Sequence, residues 1–592
     1  MPIAVHVTHE AVQQVGGIGT VLRGLVLSKN YSDFFPQTLL YAPSFTREGD
    51  VTKRLGPNSE VLYSGLDHLD TGDFRQSFSE IEKKYGVHVL YGHKKFYSPH
   101  SKRKGVQTDI LTIDPWDMHR GPIQLFKYKL WKHFEIQSDL YEQDRDYEQY
   151  LRIGIVLREV VEALYGREER AVVFAHEYMG MPSALAFAIE KTEGRRLQDT
   201  TIFYAHEVST ARLVVEQHPG HDFTFYNLLR NDRSHGVSLE DEFGSYRHYS
   251  RNELIKRASS LDYIFAVSDI TKEEFLYLCP LADEDRIKIV YNGLEVEELP
   301  YEQKERSLQL LRDYCAHLFN FRPDSILTHV ARLVISKGIW RDIRLLYHLD
   351  DLFVRKKIKG FFVLLSTQTG AVKSPEDIGK MESDYGWPVV HREGWPDLIG
   401  TEVDIYRYLE LFNGRSRAIK GIFVNQFGFS HGNCGQRLPE TTSLLSLRLA
   451  SDIEFGLSIY EPFGIAQIET VPFGGTPVIS SVCGCLSLLE NCLPLPQGTC
   501  VHVHEKDFLS IDFTKVPPTL KHLFETRSDF MKATKEVRDL IETEICQKYA
   551  SQIMNFLPAS DRIRKQRFQD LQKRAHLLDW DHIATRIISH LR

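Results

Sequence analysis

Cysteine is scarce in this sequence: eight residues in a chain of 592, too thinly spread for a disulfide framework. The one close pair, Cys483-Gly484-Cys485, with Cys492 and Cys500 beyond it, lacks the C-x2-C spacing or attendant histidines of a zinc site. No metal site is therefore predicted, and buried free thiols in a reducing compartment are the expectation. A basic excess is missing too. The net charge of -8 argues against general nucleic-acid binding, because a phosphate tracker carries surplus Lys and Arg. A basic run near the end, "RIRKQRFQDLQKRAH", reads as a solvated helix face. No apolar run reaches the length of a membrane span. The opening "MPIAVHVTHEAV" has no basic stretch followed by a long apolar core, so it does not read as a signal peptide. Internal repeats and long low-complexity tracts are absent. A cytoplasmic protein with neither membrane nor nucleic-acid partner is expected.

What is present is an ordinary globular composition, 42% hydrophobic and 26% charged, in a chain too long for a single core. Short continuous apolar runs recur, as where helices cover both faces of a parallel sheet. In the first half they are "PIAVHVT", "QTLLYAP", "HVLYGH", "AVVFAH", "TIFYAHE", "DYIFAVS" and "RIKIVYN". A second series comprises "ILTHVAR", "GFFVLLST", "WPVVHR", "GIFVNQF", "DIEFGLS", "TPVISS" and "TCVHVH". Helical spacing intervenes, with Ile153, Val156, Leu157, Val160, Val161 and Leu164 on one face. The pattern predicts an α/β protein of two doubly wound domains, residues 1–295 and 296–555, followed by a helical segment, 556–592, that packs back across them. Ligands of such sheets lie beyond the carboxyl ends of the strands.

The loops at those ends carry the chemistry. In "QQVGGIGT", Gly16, Gly17 and Gly19 permit a tight turn whose amides could approach a phosphate or sugar at a helix start, although this is not the G-x-G-x-x-G fingerprint. In "ARLVISKG", Arg332 and Lys337 follow a strand. Arg bridges phosphate oxygens with two donors and Lys acts as a point charge, a pair suited to a diphosphate. In "LSIYEPFGIAQIETVPFGGTPVIS", Glu461 and Glu469 stand eight positions apart. Glu461 would accept hydrogen bonds from sugar hydroxyls, Gly464 and Ile465 would open a short helix toward the phosphates, and Glu469 would reach a ribose diol. His176-Glu177 and His206-Glu207 each follow an apolar strand and read as polar sugar contacts, since H-x-x-x-H metal spacing is absent.

This ordered set resembles the glycogen and starch synthases, retaining glycosyltransferases of GT-B architecture, over nearly the whole chain. "QVGGIGTVL" is similar to the family's K-x-G-G loop, "FAHEYMGMPSAL" to its H-[DE]-W segment, and "FYAHEVST" to its strand-end histidine. "ARLVISKG" is similar to the R-x4-K clamp and "EPFGIAQIE" to the E-x7-E motif. The resemblance implies that Arg332 and Lys337 neutralise the donor diphosphate, Glu461 holds the transferring sugar, Glu469 binds the nucleotide ribose, His206 contacts the sugar, Glu177 lines the acceptor side and Asn292 orients loops at a hinge. It also implies front-face transfer of glucose from UDP-glucose or ADP-glucose to the non-reducing end of an α-1,4-glucan, with no further cofactor. Three departures stand out: Gln14 replaces the loop lysine, Pro472 follows Glu469 closely, and Cys483 and Cys485 replace a Gly-Gly loop. Two other readings share these residues: a GT-B transferase with another donor or a small acceptor, and a silent module that binds glucan or nucleotide sugar.

Overall fold

A computed structural model describes residues 1–13, 16–98, 105–217, 221–367, 370, 372–493, 503–505 and 535–592. Gln14 and Cys500 lie outside the described residues. The chain forms two compact units. The first comprises Met1–Arg212, Asn231–Glu297 and Asp579–Arg592, and the second Leu213–Arg230 and Glu298–Leu578.

The first unit is built on ten strands: β1 (Ile3–Val7), β2 (Thr38–Pro43), β3 (Ser59–Ser64), β4 (Leu69–Asp70), β5 (His88–Phe96), β6 (Val106–Asp114), β7 (Ala171–His176), β8 (Thr200–Ala205), β9 (Tyr263–Ala266) and β10 (Ile287–Ile289). Their order is β10-β9-β8-β7-β1-β2-β6-β5-β3-β4, parallel from β10 to β6 and antiparallel beyond. Every residue of β1, β2, β7 and β8 is buried, which is why they read as unbroken apolar runs. The antiparallel flank is less legible, because Glu60 and Gln107 face solvent and interrupt the apolar pattern of β3 and β6. Helix Arg145–Tyr165 buries Ile153, Val156, Leu157, Val160 and Val161 of the face that its spacing predicts, and leaves Leu164 half-buried near its end. Helix Trp580–Ser589 packs on helices Gly17–Leu27 and Lys29–Phe34. A Cβ on Gly24 would lie 2.1 Å from the Trp580 ring, so only glycine admits this contact.

The second unit carries a parallel sheet of six strands: β11 (Ser325–Ala331), β12 (Gly360–Ser366), β13 (Ile419–Val424), β14 (Ile453–Gly456), β15 (Thr476–Ser480) and β16 (Val503–Glu505), ordered β13-β12-β11-β14-β15-β16. Renumbered within the unit this is 3-2-1-4-5-6, the Rossmann order, whose switch point lies between β11 and β14. Two expectations are corrected. "WPVVHR" is a turn, with Val389 N donating to Gly386 O at 3.2 Å and Trp387 buried in the core; Pro388 has no N–H to give a ladder. The basic run near the end is not wholly solvated either. Arg564 is 4% exposed, and its Nε donates to Asp452 Oδ1 at 2.9 Å.

Candidate functional site

In the second unit the loops after β11 and β14 leave the switch point, where a parallel sheet opens a crevice beyond its carboxyl edge. Arg332 follows β11 directly and is exposed, with no ion-pair partner among the described residues. Five residues on, a single turn (Ile335–Lys337) brings Lys337 back toward the sheet. Gly338 makes that return feasible: its φ is +61°, and a Cβ there would meet Leu457 O at 2.3 Å. Ile459 N donates to Ser336 O at 2.8 Å, fastening the two loops together. As a result Lys337 Nζ forms an ion pair with Glu461 Oε2.

The spacing of the two glutamates is preserved, but their settings differ from expectation. The strand stops at Gly456, and Glu461 lies five residues further on, in a loop bridged to Cys483. Gly484 N donates to Glu461 O at 3.0 Å, and Cys483 Sγ donates to Gly456 O at 3.1 Å. The Cys483-Gly484-Cys485 segment thus braces the Glu461 backbone, and burial pushes the Cys483 thiol up to about 12. Gly464, left-handed at φ +89°, caps a helix of only four residues, Ile465–Ile468. Pro472 sits at the start of a separate turn, Val471–Phe473, and the helix does not run on past Glu469.

Glu469 is half-buried and already holds a partner of this chain. It pairs with Arg448, whose other end lies 3.0 Å from Glu454. Glu454 is fully buried in β14; it also accepts from Val330 N at 2.9 Å and from the Thr328 hydroxyl. Sequence reasoning missed both residues. Glu454 hides inside the apolar run "DIEFGLS", and Arg448 lies on the helix before it, so only tertiary packing joins them.

The first unit also has a switch point, between β1, whose chain continues to β2, and β7 on its other side. His6 in β1, His176 at the end of β7 and His206 just after β8 form one line. His6 Nδ1 is 2.8 Å from His176 Nε2, and His176 Nδ1 is 2.8 Å from His206 Nε2. The two strand-end histidines expected from sequence are therefore in contact, stacked at 5.1 Å and 11°, while His6 was not foreseen. Burial pushes His6 and His206 down to about 3 and His176 well below the usual imidazole range. All three are neutral at physiological pH.

Glu177 is buried at φ +57°, a left-handed setting unusual for a residue with a side chain. Its Oε1 accepts from Glu207 N at 2.6 Å, and burial reinforced by the nearby Glu207 charge raises its carboxyl far above the usual range. Glu177 Oε2, the Tyr204 hydroxyl and Asn292 Oδ1 are buried without a hydrogen-bond partner among the described residues. Such atoms mark where a ligand or water is needed.

The glycine loop departs from expectation. Gly16 N and Gly19 N both donate to Glu10 Oε2 at 2.8 Å, so a carboxylate of this chain occupies the amides proposed for a phosphate or sugar. Gly17 opens the helix Gly17–Leu27 and is exposed. From beneath, Lys94 Nζ donates to the carbonyls of Ala11 and Val12. Among the described residues no cluster of three or more His, Cys, Asp or Glu is placed to hold a metal, and no helix is long and apolar enough to cross a membrane.

No family model and no curated protein sequence matches this chain. Solved structures do. A UDP-forming α,α-trehalose-phosphate synthase from Burkholderia xenovorans, in complex with glucose 6-phosphate, aligns over 100% of this chain and 99% of its own, at a TM-score of 0.50 and 13% identity. An E. coli trehalose-6-phosphate structure bound with UDP-2-fluoro glucose aligns over 99% and 98% at 0.48 and 13%. Sucrose-phosphate synthase from Thermosynechococcus elongatus aligns over 100% and 98% at 0.45 and 13%. The first likeness establishes the fold: two Rossmann-like α/β domains of GT-B type.

Proposed function

We propose that this chain is a retaining glycosyltransferase, moving a hexosyl group from a nucleoside diphosphate sugar to the non-reducing end of an α-1,4-glucan. The observation that carries the reading is the Lys337–Glu461 ion pair at the switch point of a 3-2-1-4-5-6 sheet, with Arg332 directly after the switch-point strand β11. A diphosphate draws Lys337 from that pair, and its charge is met by Lys337 and the unpaired Arg332 as the glycosidic bond breaks. Glu461, so released, accepts from hydroxyls of the transferring sugar. Glu469, held by Arg448, retains one face for the ribose. Within the first unit, taken by itself, His206 and Glu177 are neutral polar groups suited to sugar hydroxyls, and Asn292 has an acceptor to offer. The α-glucan acceptor rests on the resemblance to glycogen and starch synthases. A sugar phosphate is its rival, because the Burkholderia xenovorans protein was solved with glucose 6-phosphate.

The test is nucleoside diphosphate release from UDP-glucose and from ADP-glucose, with glycogen, with glucose 6-phosphate, and with neither. Glycogen-dependent release supports the glucan synthase and names the base. Release driven only by glucose 6-phosphate moves the acceptor to a sugar phosphate. Folded protein that releases diphosphate from no donor in a wider sugar-nucleotide panel, yet binds glycogen, is a silent module.

A further inference from the structure

We propose that Tyr31 and His6 are positioning residues that fix the tautomer of His206, so that His206 meets its substrate as a neutral Nδ1–H donor. The substrate half of this statement rests on the reading that His206 faces sugar; the tautomer half does not.

The geometry begins with three adjacent strands. In the β1–β7 register His6 lies opposite Phe174, and in the β7–β8 register His176 lies opposite Tyr204. Alternate residues share a face, so His6, Phe174, His176, Tyr204 and His206 all project from one side of the sheet. His6 stacks on Phe174 at 4.6 Å and 5°, and His206 stacks on Tyr204 at 4.5 Å and 19°. The rings are thereby clamped in a row, with both inter-histidine hydrogen bonds at 2.8 Å. At the far end Tyr31, from the helix Lys29–Phe34, places its hydroxyl 2.6 Å from His6 Nε2.

A neutral imidazole has one N–H and one lone pair. Burial keeps each of the three histidines neutral, so the row has only two self-consistent polarities. If Tyr31 donates to His6 Nε2, then His6 Nδ1–H donates to His176 Nε2, and His176 Nδ1–H donates to His206 Nε2. His206 then carries its own proton on Nδ1. The reverse polarity puts that proton on Nε2 and leaves a lone pair at Nδ1.

The hydroxyl end selects the first arrangement. A phenol is a stronger proton donor than a neutral imidazole N–H, and burial keeps the Tyr31 phenol protonated. Its oxygen lies 3.4 Å from Thr38 Oγ1, which can donate to it in turn. Hydrogen bonds in such a row reinforce one another in a low-dielectric interior. His206 Nδ1 has no partner among the described residues, so the donor is available to an oxygen of the substrate. No proton needs to leave or enter the row, and no imidazolium forms.

The experiment uses the full chain labelled with 15N at histidine and read by long-range 1H–15N correlation, in which the two neutral tautomers give distinct patterns. His206→Gln and His176→Gln assign the signals. The expected result is an Nδ1–H tautomer at His6, His176 and His206 without any substrate. Tyr31→Phe removes only the hydroxyl and should convert His206 to a mixture of tautomers. In the enzyme assay the same variant should lose roughly tenfold in kcat, the scale of one hydrogen bond, with donor KM little changed. An Nε2–H pattern at His206 in the unmutated protein overturns the proposal, even if the variant fails to fold. So does a Tyr31→Phe protein whose His206 keeps the same tautomer. The expected spectra from a protein that transfers no sugar would leave the relay standing and remove the proposed function.

Discussion

The two switch points of this molecule are built from opposite materials. In the first unit the site residues are neutral: three buried histidines in a row and a glutamate whose carboxyl is raised far above its usual range. In the second unit the comparable position is held by charges that answer one another, Lys337 with Glu461 and Arg448 with Glu454 and Glu469. Neutral groups tolerate burial at little cost and recognise hydroxyls by direction. Buried charges need partners, but a paired lysine can exchange its carboxylate for a phosphate. Similar switch points thus carry a neutral set of side chains in one unit and a charged, paired set in the other.

Acid should break the neutral side first. His6, fully buried, is held at about 3 when folded, against 6.5 when unfolded. Between those values the unfolded chain binds more protons, so stability falls as pH drops from 6.5 toward 3. His6 contributes up to about 1.4 kcal/mol per pH unit in that window; His206 and His176 add in the same direction, and the raised carboxyl of Glu177, which takes its proton first in the folded chain, opposes them above the ordinary carboxyl range. Chemical denaturation followed from pH 7 to pH 4 should show a falling midpoint for the first unit; His6→Phe should flatten the slope, and a slope unchanged in that variant would mean His6 is not responsible.

On the charged side, Arg448→Met leaves Glu454 buried without its counter-charge and should cost about 3–5 kcal/mol, read as a lower melting temperature. Adding Glu454→Gln should restore much of the loss. If the double variant is no better than the single one, the pair is not what Arg448 supplies. If the proposed transfer is right, Lys337→Ala should lower its turnover by roughly 10²–10³-fold; full turnover would take Lys337 out of the reaction. The smallest effect is expected at Tyr204, whose buried hydroxyl lacks a partner. Tyr204→Phe should stabilise the ligand-free protein by about 1 kcal/mol, and a loss of stability would reveal a partner for that hydroxyl.

The sequence exposed the strands buried on both faces and the polar residues at their ends. Arg332, Lys337 and Glu461 were legible because each sits a few residues past an apolar run. Glu10 was not, since its hold on the amides of Gly16 and Gly19 is a side-chain choice made within one loop. Glu454 and Arg448 escaped notice for a different reason: an isolated acid inside an apolar run carries no sign of a partner until helix Leu444–Ala450 is folded against it. "WPVVHR" looked like a strand by composition, and its proline removed the ladder. Likewise, amphipathic spacing in Trp580–Ser589 shows that one face is buried, but not that the covering surface begins more than five hundred residues earlier.

That last contact gives the molecule a schedule. The sheet of the first unit leaves the ribosome early, whereas the helix that covers Gly24 and the neighbouring helix Lys29–Phe34 follows only after Glu298–Leu578 has been synthesised. Domains tend to fold as units in order of emergence. Here the first unit cannot close over Gly24 until residues 298–578 have been synthesised, so the last helix of the chain completes a packing layer that its first helices began.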